Sequence, residues 1–131
     1  MAWRTILPAC FSFSFEETRA YYVPIAHNYL GVEAQVEESD AIEALKKLMQ
    51  HKIVGQNLKF DFSLLYHQYG FEAMVPFADT MIMAWLSDPG TKVGLDALAQ
   101  KFFKYDMKPF KALVKKGEDF SAVAIEEATF Y

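Results

Sequence analysis

From residue 10 the chain reads Cys-Phe-Ser-Phe-Ser-Phe, a strict alternation that puts Phe11, Phe13 and Phe15 on one face and Ser12 and Ser14 on the other. That period of two predicts a strand with one buried face. After the polar Glu-Glu-Thr-Arg stretch, Ala20–Ala26 is β-rich again, so the two runs predict a hairpin, with Pro24 at a strand end or an edge. The spacing then changes: Ile42, Leu45, Leu48 and Met49 recur at helical intervals, and Ser39 or Asp40 is placed to cap that helix. Lys52–Gly55 is a short apolar strand, Asn57–Tyr69 a helix ended by Gly70, Met74–Ala78 a strand, and Asp79–Asp88 a helix stopped by Pro89-Gly90. A further helix covers Gly94–Phe103, a lysine-rich connection follows, and a last helix is predicted over Ser121–Tyr131. Hairpin first, then strands alternating with helices, predicts an α/β chain with a mixed sheet, its later strands joined by helical crossovers.

At 131 residues, 53% of them hydrophobic, the chain has the size and composition of one packed domain, residues 1–131. A single cysteine, Cys10, excludes an intrachain disulfide and a thiolate metal cluster, and fits a reducing, cytoplasmic setting. Leu7-Pro8-Ala9-Cys10 has the outline of a lipoprotein cleavage site, but only Thr5 and Ile6 separate it from Arg4, short of the ~7 apolar residues of a signal core. No apolar run reaches the ~18 residues of a membrane span. The net charge of −4 conceals an asymmetry, with Glu33, Glu37, Glu38, Asp40 and Glu43 early and Lys101, Lys104, Lys108, Lys111, Lys115 and Lys116 late. Two solvated faces account for such runs, and a late lysine stripe is also able to attract phosphates.

Asn57 and Asp61 stand four apart at the head of an otherwise apolar helix, whose stripe is Leu58, Phe62, Leu65 and Tyr69. Four residues apart is one helical turn, so the two polar side chains are neighbours on the margin of that stripe. In open α/β sheets the carboxyl end of a strand and the first turn of the next helix face the ligand crevice, which makes the segment from Ile53 to Asp61 a site candidate. The alternative is purely structural, with Asn57 a cap and Asp61 a first-turn acid favoured by the helix dipole. Chemistry alone leaves both open, and one carboxylate is a poor site for a hard divalent cation.

Five segments together carry a resemblance: AYYVPIAHNYLG, KIVGQNLKFDFSLL, FADTMIMAWLSDPG, VGLDALAQKFF and AIEEATFY. In order and spacing they resemble the 3'-5' proofreading exonuclease domain of bacterial DNA polymerase I, from about Phe11 to the end of the chain. The resemblance implies an RNase H-like fold of the DEDD type, in which four carboxylates hold two Mg²⁺ or Mn²⁺ ions that hydrolyse the 3'-terminal phosphodiester. Its implied partners are the 3' end of single-stranded DNA and the polymerase domain of the same parent chain. By this resemblance Asp61 is the metal-binding carboxylate of the second motif and Asn57 the asparagine before it. Tyr131 is the third-motif tyrosine that orients the attacking water. Phe110 approximately matches an aromatic that stacks on the frayed bases, with Lys115 and Lys116 of the lysine stripe beside the strand.

Two departures from the family pattern bear on activity. No Asp-x-Glu precedes Phe11, and the Tyr-x-x-x-Asp motif is represented only by Tyr131, so three of four carboxylates are missing. Glu16 and Glu17, in the hairpin turn, are not stand-ins. The first strand of the RNase H-like fold, central between the hairpin and Lys52–Gly55, is also missing, which leaves two strand edges that Thr5–Ala9 or another chain could cover. The expectations are a fragment that binds metal weakly or not at all and hydrolyses little, or a non-catalytic single-strand-binding or structural module. His27, His51 and His67 share no ligand spacing, and His27 reads as a packing or hydrogen-bonding residue. Asp79 and Asp96 read as helix caps, and Met81, Met83 and Trp85 as parts of a buried helix.

Overall fold

The computed structural model describes residues 8–131, and most of the export-like stretch and of Thr5–Ala9 lies outside them. The elements are β1 (Cys10–Glu16), β2 (Arg19–Pro24), α1 (Glu38–Leu48), β3 (Lys52–Gly55), α2 (Leu58–Tyr69), β4 (Val75–Asp79), α3 (Thr80–Ser87), α4 (Leu95–Phe103), α5 (Phe110–Leu113), a 3-10 turn at Phe120–Ala122, and α6 (Ile125–Thr129). They fall into two compact units, one formed by residues 43–107 and the other by the described parts of 2–42 with 108–131. The architecture is mixed α/β, with an antiparallel pair β1–β2 in one unit and a parallel pair β3–β4 in the other. Among the described residues these are separate two-stranded ladders.

In the discontinuous unit, β1 and β2 pair from Cys10↔Pro24 to Phe13↔Tyr21, and the register slips by one before Glu16↔Arg19. Alternation makes the hairpin: Phe13 stacks on Tyr21, its register partner across the ladder, with ring centroids 5.3 Å apart. The strand is anchored at its other end by His27, which is only 4% exposed. Its Nδ1 lies 2.8 Å from the Val123 carbonyl and its Nε2 2.6 Å from the Tyr22 hydroxyl. A carbonyl can only accept, so Nδ1 carries the proton and donates, and Nε2 accepts from the Tyr22 O–H. Burial, and then the neighbouring Cys10 thiol, holds the Tyr22 phenol above its usual range and so protonated. The hydrogen-bonding role expected of His27 is what is found.

In the continuous unit, β3, α2 and β4 form a βαβ crossover, the connection that parallel strands require. The stripe of α2 behaves as its spacing predicts: Leu58 and Leu65 are buried and Phe62 and Tyr69 partly so. The helix closes on Gly70 at φ 64°, whose N–H returns to the last turn, the αL termination that glycine adopts without a Cβ penalty. Gly55, at the end of β3, is required for a different reason. A Cβ there would sit 2.3 Å from Cδ2 of the buried Leu58. Gly55→Ala is therefore expected to overpack this corner by about 1–3 kcal/mol. Urea unfolding reads the loss, and an unchanged midpoint would show that Leu58 has room to turn away.

Several sequence expectations need correction. The first helix begins at Glu38, so Ser39 and Asp40 lie inside its first turn rather than capping it. α4 is preceded by Gly94, and Asp96 stands in the first turn without capping. The last helix is broken: a 3-10 turn capped by Asp119 comes first, and α6 starts only at Ile125. The lysine-rich connection contains the single turn α5. Finally, α3 is not a buried helix. Met83 is 54% and Trp85 56% exposed, because no described residue covers that face of an eight-residue helix that is apolar all round.

Candidate functional site

Gly55 and Asp79 are register partners at the carboxyl ends of the parallel strands β3 and β4, and each strand runs directly into a helix. Two helix N-termini with unpaired N–H groups thus begin side by side, and both need acceptors. Asp79 supplies them for both. Its Oδ1 accepts from the N–H of Met81 at 2.9 Å and of Asn57 at 3.0 Å, with Ile82 more distant at 3.4 Å, while Oδ2 accepts from Leu58 at 2.8 Å. Partial burial alone would raise the Asp79 carboxyl, but these backbone donors outweigh it and hold it below the ordinary range. The corner is tied further by Thr80, whose hydroxyl reaches the Gly55 carbonyl at 3.1 Å, and by Gln56, whose Nε2 donates to the Val93 carbonyl at 2.7 Å.

Asn57 holds the N-cap position of α2, yet its side chain makes no capping bond. Its backbone explains its presence: φ 59°, ψ 45° is left-handed, a conformation asparagine tolerates better than most residues. Asp61 follows in the first turn. Although the residue is exposed overall, its carboxyl is partly shielded from water, and this shielding, with the charge of Asp79 second, raises its pKa. The carboxyl therefore stands in an environment that resists its charge, where a cation would be welcome.

The other sequence-predicted residues lie in the discontinuous unit. Phe110 opens α5, stacks on Phe120 at 5.9 Å between centroids and 16° between planes, and meets Tyr131 edge-on at 6.5 Å. Phe120 and Tyr131 are 6.0 Å apart, closing a three-ring cluster. Phe110 and Tyr131 remain 49% and 43% exposed, so the cluster offers aromatic surface to a ligand. Lys115 and Lys116 are exposed between α5 and the 3-10 turn. The late lysines do not form one run: Lys101 and Lys104 belong to the unit with Asp61, and Lys101 is paired with Asp88 at 2.8 Å. Two residues had no functional signal in the sequence. Phe120 completes the ring cluster, and Asp79 has a second role that only the strand register brings about.

Among the described residues, no group of three or more His, Cys, Asp or Glu is placed to hold a metal ion. Asp61 has Asp79 for a charged neighbour, but the Asp79 oxygens are committed to backbone N–H groups. This donor set does not fit a pair of divalent cations.

A family model described as 3'-5' exonuclease matches residues 4–131. A DNA polymerase I of Borreliella burgdorferi is 35% identical over 122 residues, covering 92% of this chain and 13% of the polymerase. The DNA polymerase I of Pseudomonas aeruginosa is 34% identical over 133 residues, covering 92% of this chain and 14% of its own length. That of Treponema pallidum is 39% identical over 82 residues, 60% of this chain and 8% of the polymerase. No helix among the described residues is long and apolar enough to cross a membrane. The match runs through the strand–helix corner of Asn57, Asp61 and Asp79 and on to Tyr131, and the chain belongs to the 3'-5' exonuclease family.

Proposed function

We propose that residues 1–131 are a single, partial exonuclease domain whose parent, a DNA polymerase I, removes 3'-terminal nucleotides by two-metal hydrolysis with Mg²⁺ or Mn²⁺. The substrate is the 3' end of single-stranded DNA, the neighbour is the polymerase domain of the same parent, and the setting is the cytoplasm. Asp61 and Tyr131 are the catalytic residues, and Asp61 is also the metal ligand. Asn57, Phe110, Lys115 and Lys116 contact the strand. The observation that carries this reading is the position of Asp61, one turn into the helix that leaves the carboxyl end of β3, in a chain that matches the family along its length. By itself the chain hydrolyses weakly or not at all, because the one available carboxylate, Asp61, cannot hold two hard cations against water.

The alternative, strand binding without cleavage, is favoured by the ring cluster of Phe110, Phe120 and Tyr131. Stacking on such rings is worth about 1–3 kcal/mol per base. Anisotropy of a labelled oligothymidylate, with and without Mg²⁺, tests both. Expected are binding that weakens steeply with salt, a loss of about tenfold in Phe110→Ala, and little release of mononucleotides. Millimolar Mg²⁺ should leave the melting temperature unchanged, since stabilisation follows RT ln(1 + [L]/Kd) and vanishes when Kd exceeds the ion concentration. Rapid, metal-dependent release lost in Asp61→Ala would overturn the inactivity. Absence of binding at low salt would leave only a structural role.

A further inference from the structure

We propose that Asp79 is the positioning residue of Asp61: its carboxylate fixes the first turn of α2, from which the Asp61 side chain is presented. This rests on the reading of Asp61 as the metal-binding carboxylate and extends it to a residue that coordinates nothing.

The geometry is unusual for a helix cap. An ordinary cap serves the helix that it begins, as Asp79 does for α3 through Met81 and Ile82. Asp79 also reaches 22 residues back along the chain to the N–H of Asn57 and 21 to that of Leu58. Those two N–H groups bracket the point where Asn57 turns left-handed and α2 begins. Asn57 itself offers no side-chain cap, so within the described contacts the start of α2 hangs on a carboxylate from the neighbouring strand. Asp61 follows within one turn, and its direction is inherited from that start.

The two roles of Asp79 separate by substitution. Serine caps its own helix about as well as aspartate but is too short to reach Asn57 and Leu58 as well, so Asp79→Ser retains the α3 cap and releases α2. Asparagine keeps one acceptor oxygen of the same reach, puts an NH2 donor in place of the other, and removes the charge. In the full chain followed by NMR, Asp79→Ser should speed hydrogen exchange at Asn57 and Leu58 by roughly tenfold to a hundredfold, the size of a charge-assisted bond, and leave Met81 and Ile82 nearly unchanged. In Asp79→Asn exchange should rise either at Leu58 or at Asn57 and Met81, whichever the amide NH2 faces.

The positioning role is overturned if exchange at Asn57 and Leu58 is unaltered in Asp79→Ser, or rises equally at all four amides. It is also overturned if Asn57, Leu58 and Met81 all keep their full protection in Asp79→Asn. If Asp79→Ser does not fold, exchange at Asn57, Leu58 and Met81 in Asp79→Asn decides alone. Line broadening by Mn²⁺ in the unaltered chain addresses the underlying reading separately. Broadening centred on Asp61 supports it, and broadening centred on another group instead sinks the metal-binding role while the exchange result stands.

Discussion

Replacing His27 by alanine is expected to lower the stability of the protein by about 2–4 kcal/mol and its melting temperature by about 10 °C. The imidazole is buried and uses both nitrogens, receiving the Tyr22 hydroxyl proton at 2.6 Å and donating to the Val123 carbonyl at 2.8 Å. Its removal strands two partners as well as opening a cavity, and an unsatisfied buried group costs more than a made bond gains. The backbone of the same residue is held by Gln35, whose side chain accepts from the His27 N–H at 2.7 Å and donates to its carbonyl at 2.8 Å, so the segment cannot easily shift to fill the space. Tyr22→Phe, which removes the hydroxyl that donates to Nε2 and meets the Cys10 thiol but leaves the ring, should cost less, about 1–2 kcal/mol. Urea unfolding of the two variants provides the comparison. A His27→Ala midpoint indistinguishable from the parent would mean that water takes over both bonds.

The second large effect is at the corner of β3 and β4. Asp79→Ala removes the acceptor for two helix starts and should cost about 2–4 kcal/mol, two caps at about 1–2 each. The pH dependence gives its electrostatic signature. Folding holds the Asp79 carboxyl below its unfolded value, so the native state binds fewer protons and stability rises with pH. That contribution is complete above the unfolded pKa of about 3.9 and is lost as the pH falls through the folded value. Asp61 has the opposite sign. Its raised carboxyl costs stability at neutral pH, and the cost disappears as the pH falls below the unfolded value. Asp61→Asn should therefore be more stable than the parent at pH 7 and equal to it near pH 3, whereas Asp79→Asn should be less stable at pH 7 and converge in acid. Thermal melts across this range test both signs, and parallel curves for the two variants would refute the assignment.

How far the sequence foretold this depends on whether the cause is local. The hairpin, the α2 stripe and the Gly70 stop were legible because alternation, helical spacing and an αL glycine are local signals. The second role of Asp79 was not, because its partners lie 21 and 22 residues away and only the β3–β4 register brings them together. Asn57 was read as a choice between cap and ligand, and its left-handed backbone was a third reason that spacing cannot show. The exposure of α3 was equally hidden. A helix apolar on every side signals burial, but the sequence does not say which part of a protein provides the cover. Phe120 joins Phe110 and Tyr131 only through the turn of chain between α5 and α6, which no periodicity announces.

The bond from His27 to Val123 spans 96 residues, which gives the order of synthesis a structural meaning. The unit that contains Asp61 is one continuous stretch, residues 43–107, and can close as soon as it leaves the ribosome. The hairpin made earlier cannot complete its own unit at that moment, because its partners at Ser121, Val123 and Ile125 are still inside the ribosome. At about 5–20 residues per second, the His27 imidazole waits several seconds for its acceptor. A translational pause or a nascent-chain truncation before residue 123 would thus leave a folded later segment beside an unfinished earlier one, an inverted order in which the first strands of the chain are the last to be locked.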